Sequence, residues 1–354
     1  MGILDFLKKK DGQSSTPSQA EVSPELQEFL AKDPYEAQQS GLSPSGLYPH
    51  EVLLLSFAPS LYTDQQEFPL SWRQQYGLLN IPKLLFGLVE RGFIEAATLE
   101  ATLEGETVAG LKKALRACGL SVSGRKAELI SRIGSDLSDA DLVAHFSRRT
   151  FALTQSGLGA LHEAIYIPYL HKKPVEGLTI WGLHQLVKSD AGTSYRDLIY
   201  GHMERHSQIH LDKKDFTAYR AMRYRMYQFM LEDNKRKKAF PLLAEAIYYD
   251  LSGVGSEADS VHRYISEKYF FPYDKSIVKL PAAVVSGMAK LQKDLALSDE
   301  MLRALLMQFF GQYSTPFHLF TSEECAHIVL FEIHGDKEKL HKVYELAEAR
   351  FGQV

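Results

Sequence analysis

Six cations, Lys112, Lys113, Arg116, Arg125, Lys126 and Arg132, fall between positions 107 and 133 and share that stretch with one acid, Glu128. Ammonium and guanidinium groups gathered this densely suit the binding of a polyanion, and the phosphate backbone of nucleic acid is the obvious one. Gly124, Arg125 and Lys126 stand at the predicted start of a helix. There the free backbone N–H groups and the positive end of the dipole add to the side-chain charge. The same side chains could instead be the solvated face of a minimal hairpin, or a face that docks a protein. The concentration is local. The 354-residue chain carries 40 Lys and Arg against 44 Asp and Glu, a net charge of -4, so no field of the whole molecule draws nucleic acid in.

Other groupings point to less. His202, His206 and His210 recur every four residues, which puts them on one side of a continuous helix, and two histidines so spaced can ligate zinc. The zincin pattern needs Glu directly after the first His, where Met203 stands, and neither a cysteine nor a clear carboxylate partner accompanies the row. No metal or other cofactor is expected. Segment 213–238 has nine basic and three acidic residues, interleaved with Phe216, Tyr219, Tyr224, Tyr227 and Phe229. Aromatics among arginines can stack on single-stranded bases. Yet Tyr219, Met222, Met226, Phe229 and Met230 recur at helical spacing, so a buried stripe with a basic outer face is the plainer reading. No phosphate-cradling Gly-x-x-x-x-Gly-Lys-Ser/Thr loop, Gly-x-Ser-x-Gly elbow or paired-carboxylate motif occurs. With no nucleophile or base to name, a protein that binds rather than catalyses is expected.

The elements that must position the six cations are short. Val108, Leu111 and Leu115 mark one face of a first helix, and Gly119-Leu120 ends it. Ser123 is the candidate N-cap of a second helix whose buried side is Ala127, Leu129, Ile130 and Ile133. Cys118, just before the turn, reads as a small half-buried hydrophobe, with a reactive thiol as the alternative. Val108, Leu111, Lys112, Leu115, Gly119, Leu120, Gly124, Lys126, Leu129, Arg132 and Ile133 together resemble the SAP motif, a helix–extended–helix module, without a gap. The resemblance implies DNA binding, often through backbone and minor-groove contacts with little sequence preference; some members bind RNA or proteins instead.

Around this module the chain looks helical. Asn80 caps a predicted helix with Pro82 in its first turn, Leu84, Leu85, Leu88 and Val89 on one face and Gly92 as terminator. Short extended pieces follow at Phe93-Ile94 and, much later, at Phe151 to Thr154. Helix, strand, long insertion, strand resembles a winged helix with the module placed in its wing. The aromatic-x-Leu-Thr-x-x-Gly run from Phe151 to Gly157 is similar to a second wing strand. Residues 81–91 offer only Lys83 and Arg91 as cations, so this unit reads as scaffold or dimerisation element more than as a reader of bases. Arg148 and Arg149, on the returning strand, could still touch phosphate. Beyond Pro174, helices are predicted at about 177–189, 193–209, 213–233, 237–251, 257–270, 281–296, 298–312, 322–334 and 336–350.

The expected fold is mainly α. A mobile tail (1–45) leads to a winged-helix-like domain (46–102 and 138–173) with an inserted SAP hairpin (103–137), followed by an all-helical C-terminal region (174–354) of one or two subdomains. In the tail, Ile3, Leu4, Phe6 and Leu7 precede Lys8, Lys9 and Lys10, a weak membrane-surface anchor as the alternative. Two distant cysteines, Cys118 and Cys325, give no disulfide framework and point to a reducing, cytoplasmic compartment. No apolar run reaches the roughly 18 residues of a membrane span, and no secretory signal is seen. The expected function is non-enzymatic binding of nucleic acid, duplex DNA first and RNA second, through Lys112, Lys113, Arg116, Gly124, Arg125, Lys126 and Arg132. The alternative is a protein–protein adaptor, with the helical half binding partners or itself.

Overall fold

The computed structural model describes residues 40–78, 80–146, 148–254 and 269–351. Nearly all of the tail expected at 1–45, most of the helix expected at 257–270, and Leu79 lie outside the described residues. The chain is mainly helical, with seventeen α-helices and one two-stranded sheet among the described residues. It divides into two compact units, Met1–Tyr195 and Arg196–Val354.

The first unit is built on α1 (Pro49–Phe57), whose Val52, Leu53, Leu54 and Leu55 are all buried. A helix apolar on every side has to sit at the centre. The helices packed on it are α3 (Ile81–Glu90), α8 (Gln155–Glu163), α9 (Tyr166–Lys172) and α10 (Ile180–Ser189), while α2 (Leu70–Tyr76) precedes α3 in the chain. Trp181, Leu183 and His184 of α10 are buried, and the first unit runs through this helix to Tyr195. Glu51 of α1, fully buried, accepts from the Tyr48 backbone N–H at 2.9 Å and pairs with Arg91 just after α3. A charge without water needs such partners.

Helix α3 starts and stops where the sequence predicts. Asn80 Oδ1 accepts from the Lys83 N–H at 3.1 Å. At the other end Phe93 N–H donates to Leu88 O at 2.9 Å and Gly92 N–H to Val89 O at 3.0 Å. Those two bonds satisfy carbonyls the helix leaves open. The chain then enters β1 (Ile94–Ala96), which pairs antiparallel with β2 (Phe151–Leu153) in the register Ile94↔Leu153, Glu95↔Ala152, Ala96↔Phe151.

Residue Ala97 N–H donates to Thr150 O at 2.9 Å, so the chain leaves and re-enters this ribbon at one point. Everything from 98 to 149 is carried on it. The other edge of β2 is covered by residues 61–63: Tyr62 bridges Thr150, Thr63 N–H donates to Arg149 O at 2.8 Å, and Phe151 N–H donates to Leu61 O at 3.1 Å. Arg148 lies over the Tyr62 ring at 4.0 Å and donates from Nε to Asp64 Oδ1 at 2.9 Å.

The second unit contains α11 (Tyr195–Asp212), α12 (Phe216–Glu232), α13 (Arg236–Ser252), α14 (Ala282–Asp294), α15 (Asp299–Phe310), α16 (Ser322–His334) and α17 (Lys337–Phe351). Helix α13 is its centre, packed on α12, α14 and α15, with every residue from Leu242 to Tyr249 buried. Tyr219, Met222, Met226, Phe229 and Met230 of α12 are buried as the spacing requires. Its arginines do not form the purely outward basic face that was expected. Arg220 pairs with Asp250 at 2.5 Å, and Arg223 with buried Glu245 at 2.6 Å and with Glu204 at 2.9 Å; Arg236, at the start of α13, pairs with Asp294 at 2.6 Å. Burial lowers His318 to about 4: its Nε2 faces Tyr248 O at 3.0 Å and its Nδ1 accepts from Phe320 N–H at 3.2 Å. Among the described residues no helix is long and apolar enough to cross a membrane.

Candidate nucleic-acid interface

Four short helices fill the insertion: α4 (Leu99–Gly105), α5 (Val108–Ala117), α6 (Lys126–Asp136) and α7 (Asp139–Phe146). They share a core of their own, made by Leu103, Leu111, Ala114, Leu115, Leu129, Ile133, Leu137 and Phe146, with Leu99, Cys118, Leu120, Val122, Ile130 and Leu142 packed against it. Cys118 is thus a half-buried member of an apolar cluster. The core corrects two sequence expectations. Val108 is 43% exposed, because it occupies the first position of α5 and the buried face runs Leu111, Ala114, Leu115. Ala127 is exposed, one position into α6, while Leu129 and Ile133 carry the contact.

The turn between the two central helices follows from its residues. Helix α5 opens with Thr107 Oγ1 accepting from Gly110 N–H at 3.0 Å. It closes with Leu120 N–H on Leu115 O at 2.8 Å and Gly119 N–H on Arg116 O at 3.1 Å, which requires Gly119 at φ 70°. A side chain would resist that left-handed backbone, and the leucine that follows folds back onto the core. The chain then runs extended until α6. Ser123, expected to cap α6, does not: its Oγ lies 2.9 Å from Ser121 Oγ, and the cap position belongs to Arg125. Arg125 N–H donates to Glu128 Oε2 at 3.2 Å, so the one acid of the stretch serves the helix start rather than neutralising a neighbour.

The cations divide by what they touch. Lys113, Arg116 and Arg125 are exposed and Lys112 half-buried, and among the described residues none of these four forms an ion pair or a side-chain hydrogen bond. Lys112 and Arg116, one helical turn apart, lie along one side of α5. Lys126, at the first position of α6, donates from Nζ to Glu104 O at 2.6 Å. Arg132, half-buried, donates from one terminal nitrogen to Ser121 O at 2.8 Å and Ser123 O at 3.0 Å. Among the described residues no carboxylate pairs with any of the six. Gly124 stands directly before the cap position, at φ 117°.

Residues 103–133 match the SAP domain family. A SAP domain is generally a DNA- or RNA-binding motif, and here it is carried between two paired strands. The match ends before α7, yet Leu142 and Phe146 of α7 complete the core. No curated protein and no solved structure matches the chain.

Outside the SAP domain the other sequence candidates have partners. Arg148 is held by Asp64 and Tyr62, and Arg149 by the Phe146 carbonyl. In the histidine row, His202 and His206 stack with centroids 4.3 Å apart, and among the described residues no group of three His, Cys, Asp or Glu is placed to hold a metal ion. Sequence reasoning missed the retaining role of Arg132, the contribution of α4 and α7 to the core, and the strap at 61–63. The alternation of Leu99, Leu103 and Leu142, Phe146 at helical spacing was the available signal for the first of these helices and the last.

Proposed function

We propose that the protein binds nucleic acid, with duplex DNA as its ligand, and that it does so without catalysis. The observation that carries this is the set of four cations, Lys112, Lys113, Arg116 and Arg125, that have no ion pair or side-chain hydrogen bond among the described residues, on a small helical module in a chain of net charge -4. Unpaired cations on ordered helices neutralise phosphates without first giving up a protein partner, and they release counterions when they do so.

The elements around the module are consistent with a winged-helix-like support. In chain order they run α1, the strap 61–63, α2, α3, β1 and β2, with the SAP domain replacing the wing between the two strands. Helix α3 occupies the place of a recognition helix. Its apolar face is buried and Arg91 is spent on Glu51 and Gly87 O, which favours a supporting role over base reading. Contact through phosphates predicts affinity with little sequence preference.

The test is charge reversal at Arg125 and Lys126 together, with binding to several unrelated duplexes followed by fluorescence anisotropy. Affinity should fall by roughly tenfold or more, and by a similar factor on each duplex. Unchanged affinity at physiological salt would overturn the assignment.

A further inference from the structure

Six cations mark the SAP domain, but the structure gives one of them a different task. Arg132 reaches back from the second turn of α6 and places a single guanidinium nitrogen between two backbone carbonyls, Ser121 O at 2.8 Å and Ser123 O at 3.0 Å. Those carbonyls belong to the extended stretch between α5 and α6. Among the described residues, positions 121–124 make no backbone–backbone hydrogen bond. Val122 packs on the core, and the Ser121 and Ser123 hydroxyls bond each other. Arg132 is thus the group that ties this backbone to α6. A charged donor serving two carbonyls is a strong restraint for its size.

What the restraint holds is the approach to the helix start. Gly124 follows directly, at φ 117°, and Arg125 occupies the cap position with Glu128 closing it. A side chain at Gly124 would be strained at that φ and would also push the Glu128 carboxylate from the Arg125 N–H it closes on. Release of Ser121 and Ser123 would let residues 121–125 move as a loop, and the orientation of Arg125 and of the first N–H groups of α6 would be lost with it.

We infer that Arg132 is a positioning residue for phosphate binding: it fixes the extended segment so that Arg125 and the start of α6 present a preformed site, and it makes no phosphate contact itself. This rests on the nucleic-acid reading above. It changes the expectation for the residue, since the two Nη1 N–H groups are committed to the Ser121 and Ser123 carbonyls and the guanidinium is held against the hairpin, with only its Nε and Nη2 donors outside those bonds.

The experiment measures binding of the full-length chain to one duplex across a salt series, for the wild type, Arg132→Met, Arg125→Met, Gly124→Ala and the double variant Arg132→Met/Gly124→Ala. Methionine keeps an apolar stem against the hairpin and removes both bonds. Arg132→Met should weaken binding roughly tenfold while the slope of log affinity against log salt stays at the wild-type value. Arg125→Met should reduce that slope by about 0.9, as the loss of one phosphate contact does. Gly124→Ala should behave like Arg132→Met, and the double variant should be no weaker than the poorer single one, because both disturb the same segment.

A slope reduced in Arg132→Met as in Arg125→Met would make Arg132 a phosphate contact and overturn the inference. Full affinity in Arg132→Met would overturn it too, as would a lowered thermal midpoint with normal affinity of the folded protein, which is the signature of a purely structural residue. If the Arg132→Met chain does not fold, additivity between Gly124→Ala and Arg132→Lys decides instead, with full additivity counting against the inference. Failure of the nucleic-acid reading looks different: the wild type itself would not bind, or Arg125→Met would leave both affinity and slope untouched.

Discussion

Truncation of Leu129 to alanine should remove nucleic-acid binding without unfolding the protein. Leu129 is fully buried in α6, in the apolar cluster that it shares with Leu111 and Leu115 of α5 and residues of α4 and α7. A Leu→Ala change at such a site costs about 2–5 kcal/mol, from lost burial and the cavity left behind. A module of this size holds only about 3–5 kcal/mol of stability of its own. Its core cluster contains no residue of α1, α3 or β2, so the loss falls on residues 98–149 alone. The assay is amide hydrogen exchange on the full chain, read segment by segment, beside anisotropy with a duplex. Amides of α5 and α6 should exchange at close to unprotected rates, while those of α1 and α13 keep wild-type protection, and binding should be lost. Protection lost equally in α1 and in α5 would refute the separate core. Wild-type binding by a chain whose α5 and α6 amides have lost protection would refute the claim that the folded hairpin is the binding element.

Three further outcomes follow from the same structure. Arg148→Ala should leave duplex affinity and its salt slope within about twofold of wild type and lower stability by no more than about 1 kcal/mol, as a partly exposed ion pair with Asp64 implies; a reduced salt slope would instead make Arg148 a phosphate contact. His318, lowered to about 4 by burial, binds its proton more readily in the unfolded chain, whose histidines titrate near 6.5. Stability against denaturant should therefore be complete above about pH 6.5 and fall as pH drops towards 4, by on the order of 3 kcal/mol, and His318→Gln should flatten that part of the profile. The same pH dependence in wild type and variant would contradict it. Replacing Asn80 by alanine removes the acceptor for the Lys83 N–H and should cost about 1 kcal/mol in thermal unfolding of the first unit, and a change well below that would show that Pro82 and the buried face set the helix start alone.

Much of the fold was legible because its signals are local. Asn80 and Gly92 bound α3, Gly119-Leu120 ends α5, and α16 spans 322–334 as predicted. The cationic hairpin was legible because its apolar anchors recur at fixed spacing. What was not legible depends on partners distant in sequence. Asp64 and Tyr62 meet Arg148 only because the strap at 61–63 runs beside β2, and a single bridged residue has no strand-length pattern. Arg220 and Arg223 read as an outer face until Asp250 and buried Glu245 are seen across the α12–α13 contact. Ser123 has the residue type of a cap, but Glu128 and the arginine before α6 take that position. Arg132 counts as one more positive charge in the sequence, and only the backbone path of Ser121 and Ser123 shows that both its bonds stay within the hairpin.

The central claim is that four unpaired cations on the SAP domain grip phosphate. The most direct measurement is the affinity of the unaltered full-length chain for duplex DNA, single-stranded DNA and RNA over a salt series. Four contacts imply a slope near -3.6 on duplex DNA, a loss of about 150-fold between 50 and 200 mM salt, with the duplex bound tightest. Binding that ignores salt, or no binding to any of the three at low salt, would contradict the account.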